Sequence, residues 1–294
     1  FIKSVRTIVH GTTVTTNAVL TRKGAKTGLL TTKGVRDALE MRRGIREEQY
    51  NNRYTNVEPL VPRYLRYPVE ERLDYKGDVV TDLKESDVAE AVKRFRKEGV
   101  EAIAVCFMNS FADGSHEARA AEIVRREFGM GPGPSNTNPS SDERPPYLTV
   151  SSEFLPRIRF YDRLSTTVLN SYVGPILKRY LASLVRKLEE SGFEGALLIM
   201  QSNGGIATFE VARQSPIKTC ESGPVAGVIG AAVIGDLLDE PNVISLDIGG
   251  TTVKSSLVEN GVPFVQVNWS DHVEAEEDAG DGGWDHHYRN FQIM

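Results

Sequence analysis

Apolar side chains in the middle of the chain recur at the spacing of an amphipathic helix. Four of them fall three or four positions apart ahead of Gly99: Val88, Ala91, Val92 and Phe95. This period predicts a helix that buries one face and ends at the glycine. Residues 100–107 are then mostly apolar, as in a strand that is covered on both faces.

A second helix is predicted from about 115 to 128. Its expected buried face carries Ala118, Ala121, Val124 and Phe128. The order helix, strand, helix indicates layered α/β architecture.

Similar patterns extend over most of the chain. Strands are predicted at 5–10, 27–32, 147–151 and 196–200, and helices at 13–20, 35–41, 164–188 and 225–238. Gly24 is expected to end the first helix, and Ser222 is expected to cap the last one. Residues 42–80 contain three prolines and are interpreted as an irregular basic and aromatic loop, either a solvated connection or a lid over a substrate site.

Length and composition set the number of domains. A chain of 294 residues that is 40% hydrophobic predicts about two globular domains. Residues 129–146 are rich in Gly, Pro and Ser, which favours a flexible connection. The predicted division is therefore 1–130, a linker at 131–146, 147–268, and an acidic, disordered tail at 269–294.

Charge and cysteine content exclude several classes of protein. The net charge is −5, and residues 271–294 carry seven acidic groups against one basic group, so that residues 1–270 are nearly neutral. A nucleic-acid partner is not expected, because a phosphate backbone needs a concentrated basic face. No apolar run reaches the length of a membrane span. Two cysteines fit a reducing compartment, and we expect a cytoplasmic protein.

The reactive side chains outside the main motif give weak signals. Cys106 lies in an apolar strand and is expected to be inert core. Cys220 precedes a helix start, where a thiol pKa can fall, so a nucleophilic role stays open beside a structural one. His286 and His287 follow Asp285, but adjacent histidines in an acidic tail predict no specific metal site.

One segment carries a clear chemical pattern. Residues 243–248 and 253–258 predict a β-hairpin whose tip is Gly249, Gly250, Thr251 and Thr252. Glycines leave the backbone N–H groups of such a tip free to hold a phosphate. Asp247 ends the first strand, where a carboxylate can hold Mg²⁺, and Lys254 on the second strand could meet a phosphate. An ordinary hairpin turn is the alternative interpretation.

Six motifs, in order, resemble the hydantoinase A/oxoprolinase family, and the hairpin itself resembles the phosphate-binding hairpin of the actin/Hsp70/sugar-kinase superfamily. They are His10–Leu20, Gly28–Gly34, Ser165–Asn170, Tyr172–Pro175, Met200–Gly205 and Ser222–Pro224. The resemblance covers residues 5–128 and 147–265. It implies an actin/Hsp70/sugar-kinase-like (ribonuclease H-like) ATPase architecture with two α/β lobes.

The resemblance also implies the activity and the site. It implies an enzyme that uses ATP and Mg²⁺ to open five-membered cyclic amides such as hydantoins or 5-oxoproline through a phosphorylated intermediate, with a ketone carboxylase subunit as the alternative. A non-catalytic nucleotide-binding regulator or an inactive fragment are further alternatives. Asp247 is the expected catalytic and metal-binding residue. The nucleotide is assigned to Gly249, Gly250, Thr251, Thr252, Lys254, Ser222 and Gly223, and the substrate cleft to Gly11, Thr12, Thr13, Asn17 and Asn203.

Two differences from the family pattern bear on completeness. The family has an earlier Asp-x-Gly-Gly-Thr hairpin ahead of the segment that corresponds to His10–Leu20, and no such hairpin precedes His10 here. The residues after 268 match nothing in the family pattern. We therefore expect part of a longer polypeptide that works with a second, B-type subunit or domain and a small-molecule substrate.

Overall fold

The computed structural model describes residues 1–44, 50–130, 145–248 and 253–263. The secondary structure alternates between helices and strands along most of this length. In the described part of the chain, no helix is both long and apolar enough to cross a membrane.

The strands and helices are numbered in chain order. The strands are β1 (Thr7–His10), β2 (Thr27–Thr32), β3 (Arg66–Val69), β4 (Arg72–Leu73), β5 (Val79–Thr81), β6 (Ala102–Cys106), β7 (Tyr147–Val150), β8 (Ala196–Met200), β9 (Ile206–Thr208), β10 (Val243–Ile248), β11 (Val253–Glu259) and β12 (Val262–Pro263). The helices are α1 (Val14–Leu20), α2 (Ala38–Met41), α3 (Glu85–Lys97), α4 (Ser115–Glu127), α5 (Ser151–Phe154), α6 (Phe160–Glu190), α7 (Phe209–Gln214) and α8 (Ser222–Leu237).

The chain forms two compact units that differ from the predicted division. One unit, the split unit, consists of residues 1–23 and the described residues from 176 onward; the other, the central unit, is Gly24–Pro175. Helix α6 contributes residues to both. Strands β6 and β7 lie on either side of the expected linker yet pair in one sheet. The linker residues 131–144 and the acidic tail lie outside the described residues, so their predicted disorder stays a prediction.

The central unit contains a parallel four-stranded sheet in the order β3-β2-β6-β7. Strands β2 and β6 are buried along their whole length, as the apolar run at 100–107 predicted. Helix α3 buries the four residues of its predicted stripe, and Gly99 follows it with a positive φ of 65°. The ring of Phe95 lies over β2 at Gly28, where a Cβ atom would come within 2.9 Å of the ring. Close packing of helix on sheet therefore requires a glycine there.

The loop expected at 42–80 was wrong in part, because this region contains β3, β4 and β5. Strand β3 was not predicted because its residues include Arg66, Tyr67 and Pro68, which do not form an apolar or alternating pattern. Proline lacks a ladder donor and is tolerated on an edge strand, and β3 is the edge of the sheet, with Pro68 opposite Thr31 of β2. Helix α2 is also shorter than predicted.

The buried face of α4 differs from the predicted one. Ala118 is exposed, whereas His116 and Glu117 are buried. Glu117 has no exposed surface, because its carboxylate accepts hydrogen bonds from the N–H of Phe107 and from Ser110 Oγ, both at 2.7 Å. The polar residue belongs to the core since its partners are there.

Gly24 has a different role from the expected helix stop. Helix α1 ends at Leu20, and the Thr21 N–H already bonds the carbonyl of Asn17. A Cβ atom on Gly24 would lie 1.9 Å from Cε1 of Tyr172. Glycine is required there by the aromatic ring and not by the helix end.

The split unit contains two three-stranded sheets. Strand β1 pairs in parallel with β8, which pairs with β9, and β10, β11 and β12 form an antiparallel sheet. Leu177 and Leu181 of α6 form a small core with Ile199 and Ala212. Strand β10 leaves Ile244, Leu246 and Ile248 exposed on alternate positions.

Candidate functional site

The end of β1 packs against the start of α8. The Thr12 N–H donates to Ser222 Oγ, and Ser222 Oγ donates to the Thr12 carbonyl, both at 3.1 Å. A Cβ atom on Gly11 would lie 3.1 Å from the Ser222 carbonyl oxygen and 3.2 Å from Gly223 Cα. The structure therefore brings together four of the predicted site residues, two from each motif.

Threonines of α1 hold the turn before α8. Thr16 Oγ1 accepts a hydrogen bond from the Glu221 N–H at 2.9 Å, and the hydroxyls of Thr15 and Thr219 lie 3.1 Å apart. These hydroxyls are buried and were not singled out from the sequence. The available signal was the group of four threonines at positions 12, 13, 15 and 16, around the start of α1.

The side chains of Thr12, Thr13 and Asn17 face different surroundings. Thr12 is buried, and its Oγ1 accepts from the Val14 N–H at 3.2 Å. Thr13 is exposed, and its Oγ1 accepts from Asn17 Nδ2 at 3.4 Å. Of the predicted cleft residues on this helix, Thr13 and Asn17 present side chains that a substrate could reach.

Glu221, and not Ser222, is the N-cap of α8. Its backbone is left-handed, with φ 60° and ψ 6°, and Ser222 is the first helical residue. A non-glycine residue in this region stores strain, on the order of 1 kcal/mol or more. The Glu221 carboxylate forms an ion pair with Lys254 Nζ, and the two side chains are only 13% and 19% exposed. The expected cap was wrong because the Ser222 hydroxyl bonds Thr12 instead of its own helix.

The predicted hairpin is confirmed in its strands. Strands β10 and β11 pair antiparallel, and Asp247 lies opposite Lys254. Asp247 is exposed. The tip, Gly249 to Thr252, lies outside the described residues, so the phosphate contacts assigned to it stay predictions. Through the pair of Lys254 with Glu221, the strands that carry the tip are joined to the start of α8.

Asn203 closes its own turn. Its Oδ1 accepts a hydrogen bond from the Gly205 N–H at 2.9 Å, and the residue is exposed. The same turn packs on α8, since a Cβ atom on Gly204 would lie 3.2 Å from Ile229 Cδ1. Over the described parts of the chain, Asn203 makes no hydrogen bond to residues 11–13, so the structure does not join it to them.

The nucleophilic alternative for Cys220 is contradicted by burial. Both cysteines are free and buried. Burial raises the pKa of Cys220 to about 12 and that of Cys106 to about 11. A thiol nucleophile needs a lowered pKa. Cys106 is the inert core residue that the sequence predicted.

Metal ligands do not cluster in the described part of the chain. Within it, no three His, Cys, Asp or Glu residues are grouped so that they could hold a metal ion. A single carboxylate is still enough for Mg²⁺, which is usually held by one or two carboxylates together with water and substrate phosphates. Asp247 is an exposed carboxylate of that kind. The histidines of the acidic tail lie outside the described residues.

Two family models match the chain. The hydantoinase/oxoprolinase N-terminal region matches residues 2–128, and hydantoinase/oxoprolinase matches residues 163–275. An uncharacterized protein of Methanocaldococcus jannaschii is 34% identical over 93% of this chain and 38% of its own length. Caprolactamase subunit alpha of Pseudomonas jessenii is 34% identical over 86% of this chain and 34% of its own length. The chain thus spans a little over a third of these relatives.

Solved structures confirm the fold class. A nucleotide-free structure of acetone carboxylase, described under the mechanism of ATP-dependent acetone carboxylation, has a TM-score of 0.76 at 27% identity over 88% of this chain and 36% of that chain. The α/β, actin/Hsp70/sugar-kinase-like architecture predicted from the sequence is therefore the fold of this protein.

Proposed function

The chain belongs to the hydantoinase/oxoprolinase family, and from that premise we propose that it is the nucleotide-binding part of an ATP-dependent enzyme that opens five-membered cyclic amides. The class includes hydantoins, N-methylhydantoins and 5-oxoproline. The observation that carries the proposal is the placement of Asp247 opposite Lys254 on the strands that flank Gly249–Thr252. An acidic and a basic group beside a glycine tip fit a magnesium-bound polyphosphate.

The remaining residues fit the same ligand. Ser222 and Gly223 begin a helix of 16 residues, whose N-terminus favours an anion. Lys254, which forms an ion pair with Glu221 at the start of this helix, is assigned to the phosphate as a second partner. Bound Mg-ATP supplies the phosphoryl group that activates the amide oxygen, and an unstrained amide requires such activation. This chain contributes positioning and neutralisation of charge, which dominate catalysis of phosphoryl transfer.

Substrate contacts are assigned to the end of β1 and the start of α1. Gly11 packs closely against Ser222 and Gly223, and beside it Thr13 and Asn17 present polar groups that can hydrogen-bond an amide. Asn203 is retained as a cleft residue in this proposal through its exposed side chain. A second, B-type subunit or domain completes the enzyme, in keeping with the Pseudomonas relative, which is the alpha subunit of a caprolactamase.

A second candidate is a ketone carboxylase subunit. It is supported by the likeness to the acetone carboxylase structure. The same nucleotide site would serve both reactions, because each must activate a substrate oxygen that is unreactive without ATP. A non-catalytic nucleotide-binding regulator is the third candidate, since fold does not fix function.

Isothermal titration with Mg-ATP tests the site. We expect Asp247→Asn to weaken binding about tenfold or more, because one charge-assisted metal contact is lost. Asp236→Asn is the matched control, since Asp236 is an exposed residue near the far end of α8. Equal affinities of wild type and Asp247→Asn would contradict the assignment of Asp247.

Turnover by the full-length protein with its partner subunit separates the three candidates. ADP release stimulated by hydantoin or 5-oxoproline supports the cyclic amidohydrolase. Stimulation only by acetone or acetophenone with bicarbonate supports the carboxylase. ATP binding with no stimulation by any of these substrates supports the regulator.

A further inference from the structure

A cavity in the central unit is lined by an unusual concentration of arginines. It has a volume of about 550 Å³ and lies beside β3, the edge strand of the parallel sheet. Its walls include four arginines and two tyrosines: Arg36, Arg63, Arg66, Arg94, Tyr64 and Tyr67. Cavities of this size take small-molecule ligands. Nothing in the proposed nucleotide site uses these residues.

Three of the arginines are paired with only two carboxylates, those of Asp37 and Glu40. Arg63 binds Asp37 through both Nε and Nη2, at 3.0 and 3.1 Å, and Arg66 Nη1 binds Glu40 at 3.0 Å. Arg36 Nε lies 3.4 Å from the same Asp37 carboxylate. Its geometry there makes no hydrogen bond, and this buried nitrogen has no partner among the described residues. Arg36 therefore shares the Asp37 carboxylate with Arg63 and Arg66, and its Nε is left without a hydrogen bond in the described part of the chain.

The fourth arginine adds to the excess of positive charge. Arg94 is exposed and, in the part of the chain that the structure describes, forms no ion pair. The one acid in the lining, Asp87, is held by Lys84 Nζ at 3.2 Å and by the Glu70 N–H at 3.1 Å. Glu90 bonds the hydroxyl of Tyr67 and helps to raise the Tyr67 pKa, after burial, which is the main cause. Even if Glu90 is counted against Arg94, the cavity keeps one positive charge in excess.

The aromatic residues give the cavity a second recognition element. Tyr64 is 48% exposed, with its ring at the cavity wall, and Lys26 Nζ lies 6.0 Å from the centre of that ring. Tyrosine rings can cover the apolar part of a small ligand, while arginine forks fit carboxylate and phosphate oxygens. This combination selects an anion of small-molecule size over a bare cation or a neutral sugar.

We propose that the cavity beside β3 is a binding site for a small-molecule anion that carries a carboxylate or a phosphate group. Arg94 and Arg36 provide the contacts that attract it, and Arg63 and Arg66 hold the wall through Asp37 and Glu40. Arg66 is fixed as part of the fold, since it is 3% exposed and its Nε donates to the Val61 carbonyl at 2.9 Å.

Isothermal titration of the full chain with pyrophosphate, inorganic phosphate, acetate and citrate tests this proposal. We expect millimolar or tighter binding of at least one anion, weakened about tenfold in Arg94→Gln. Arg126→Gln is the matched control, because Arg126 is an exposed arginine of α4 outside the cavity. The pattern among the four anions distinguishes a carboxylate from a phosphate ligand. Absence of binding by every anion, or equal affinities of the two variants, would overturn the proposal.

A second set of titrations separates this site from the nucleotide site. The same anions are titrated into Lys254→Met, which lacks the basic group of the hairpin, with and without the Arg94→Gln substitution. Persistence of the Arg94→Gln effect there supports the cavity even if the nucleotide assignment fails. Loss of all anion binding in Lys254→Met alone would place the anion at the hairpin and refute the cavity. Arg36→Gln provides a further variant, with weakened binding expected and an unchanged far-UV circular dichroism spectrum as the check of folding.

Discussion

Replacing the buried carboxylate of Glu117 is expected to destabilise the central unit strongly. The side chain has no exposed surface and lies in α4, next to the ends of β6 and β7. One carboxylate oxygen accepts from the Phe107 N–H and from two serine hydroxyls, Ser110 and Ser151, each at 2.7 Å. The other accepts from the Ser152 N–H at 2.7 Å. Four donors therefore depend on a single residue.

The magnitude follows from which donors can find new partners. Serine hydroxyls can rotate, and Ser110 Oγ already lies 3.0 Å from the Phe107 carbonyl. The N–H groups of Phe107 and Ser152 cannot turn. In Glu117→Ala both are left unpaired, and since a buried unsatisfied donor costs about 1–3 kcal/mol, the free energy of unfolding should fall by about 4 kcal/mol. In Glu117→Gln the amide oxygen can keep the Phe107 bond, while the amide nitrogen faces the Ser152 N–H, so the loss should be about 2 kcal/mol.

Urea unfolding followed by far-UV circular dichroism measures these differences. Glu122→Gln is the matched control on the same helix, where the side chain is 61% exposed and pairs with Arg119. Its effect should stay below about 0.5 kcal/mol, as for other exposed pairs. If Glu117→Gln and Glu122→Gln unfold at the same urea concentration, Glu117 does not hold the four donors and the reasoning is refuted.

Three further predictions concern packing, thiol reactivity and pH. Gly24→Ala should lower the free energy of unfolding by about 3 kcal/mol, because the methyl group meets the Tyr172 ring. Gly227→Ala, which adds a methyl group in open space on a helix, should raise it by about 0.5–1 kcal/mol. Equal unfolding midpoints of the two variants in urea would contradict both expectations. A thiol reagent at mildly alkaline pH should modify neither Cys106 nor Cys220 in the native protein and both in urea, since burial raises their pKa values to about 11 and about 12; rapid native labelling would contradict the burial. Burial lowers the pKa of His10, whose Nε2 lies 2.8 Å from the Tyr180 hydroxyl. The unfolded chain therefore binds more protons, and the contribution of His10 to stability is present above about pH 6.5 and lost as the pH falls below that value. In His10→Phe, the free energy of unfolding measured in urea should depend less on pH below about pH 6.5. A pH dependence equal to that of the wild type would argue against the effect.

The elements that could be predicted are those whose side-chain pattern agrees with their surroundings. Helix α3 and strand β6 were predicted well because their burial follows period 3.6 or a continuous apolar run. The hairpin strands β10 and β11 were predicted because a short glycine tip separates two alternating runs. In these elements, local sequence and tertiary packing require the same residues.

The errors occur where tertiary contacts override the local pattern. Glu117 is acidic, and only donors from the segments that directly follow β6 and β7 place it inside. Gly24 resembles a helix stop, yet a ring more than a hundred residues away in the sequence requires it. Ser222 resembles a helix cap, but its hydroxyl is occupied by Thr12. Strand β3 has the composition of a loop, and its place at the sheet edge makes Pro68 acceptable.

The candidate site could be predicted in part for the same reason. The placement of Asp247 opposite Lys254 follows from hairpin pairing alone. The contact of residues 11 and 12 with Ser222 and Gly223 could not be derived from spacing, because more than two hundred residues separate them. The ion pair of Glu221 with Lys254 depends on a strained backbone that no sequence rule assigns to glutamate.

Strand β10 has a consequence for handling the protein in the laboratory. It is the outer strand of its sheet among the described residues, and three large aliphatic side chains alternate along it in contact with water. Such a strand offers free backbone donors and acceptors together with an exposed hydrophobic surface, and this combination promotes self-association. Purified residues 1–294 should consequently precipitate at concentrations where the Leu246→Lys variant remains in solution.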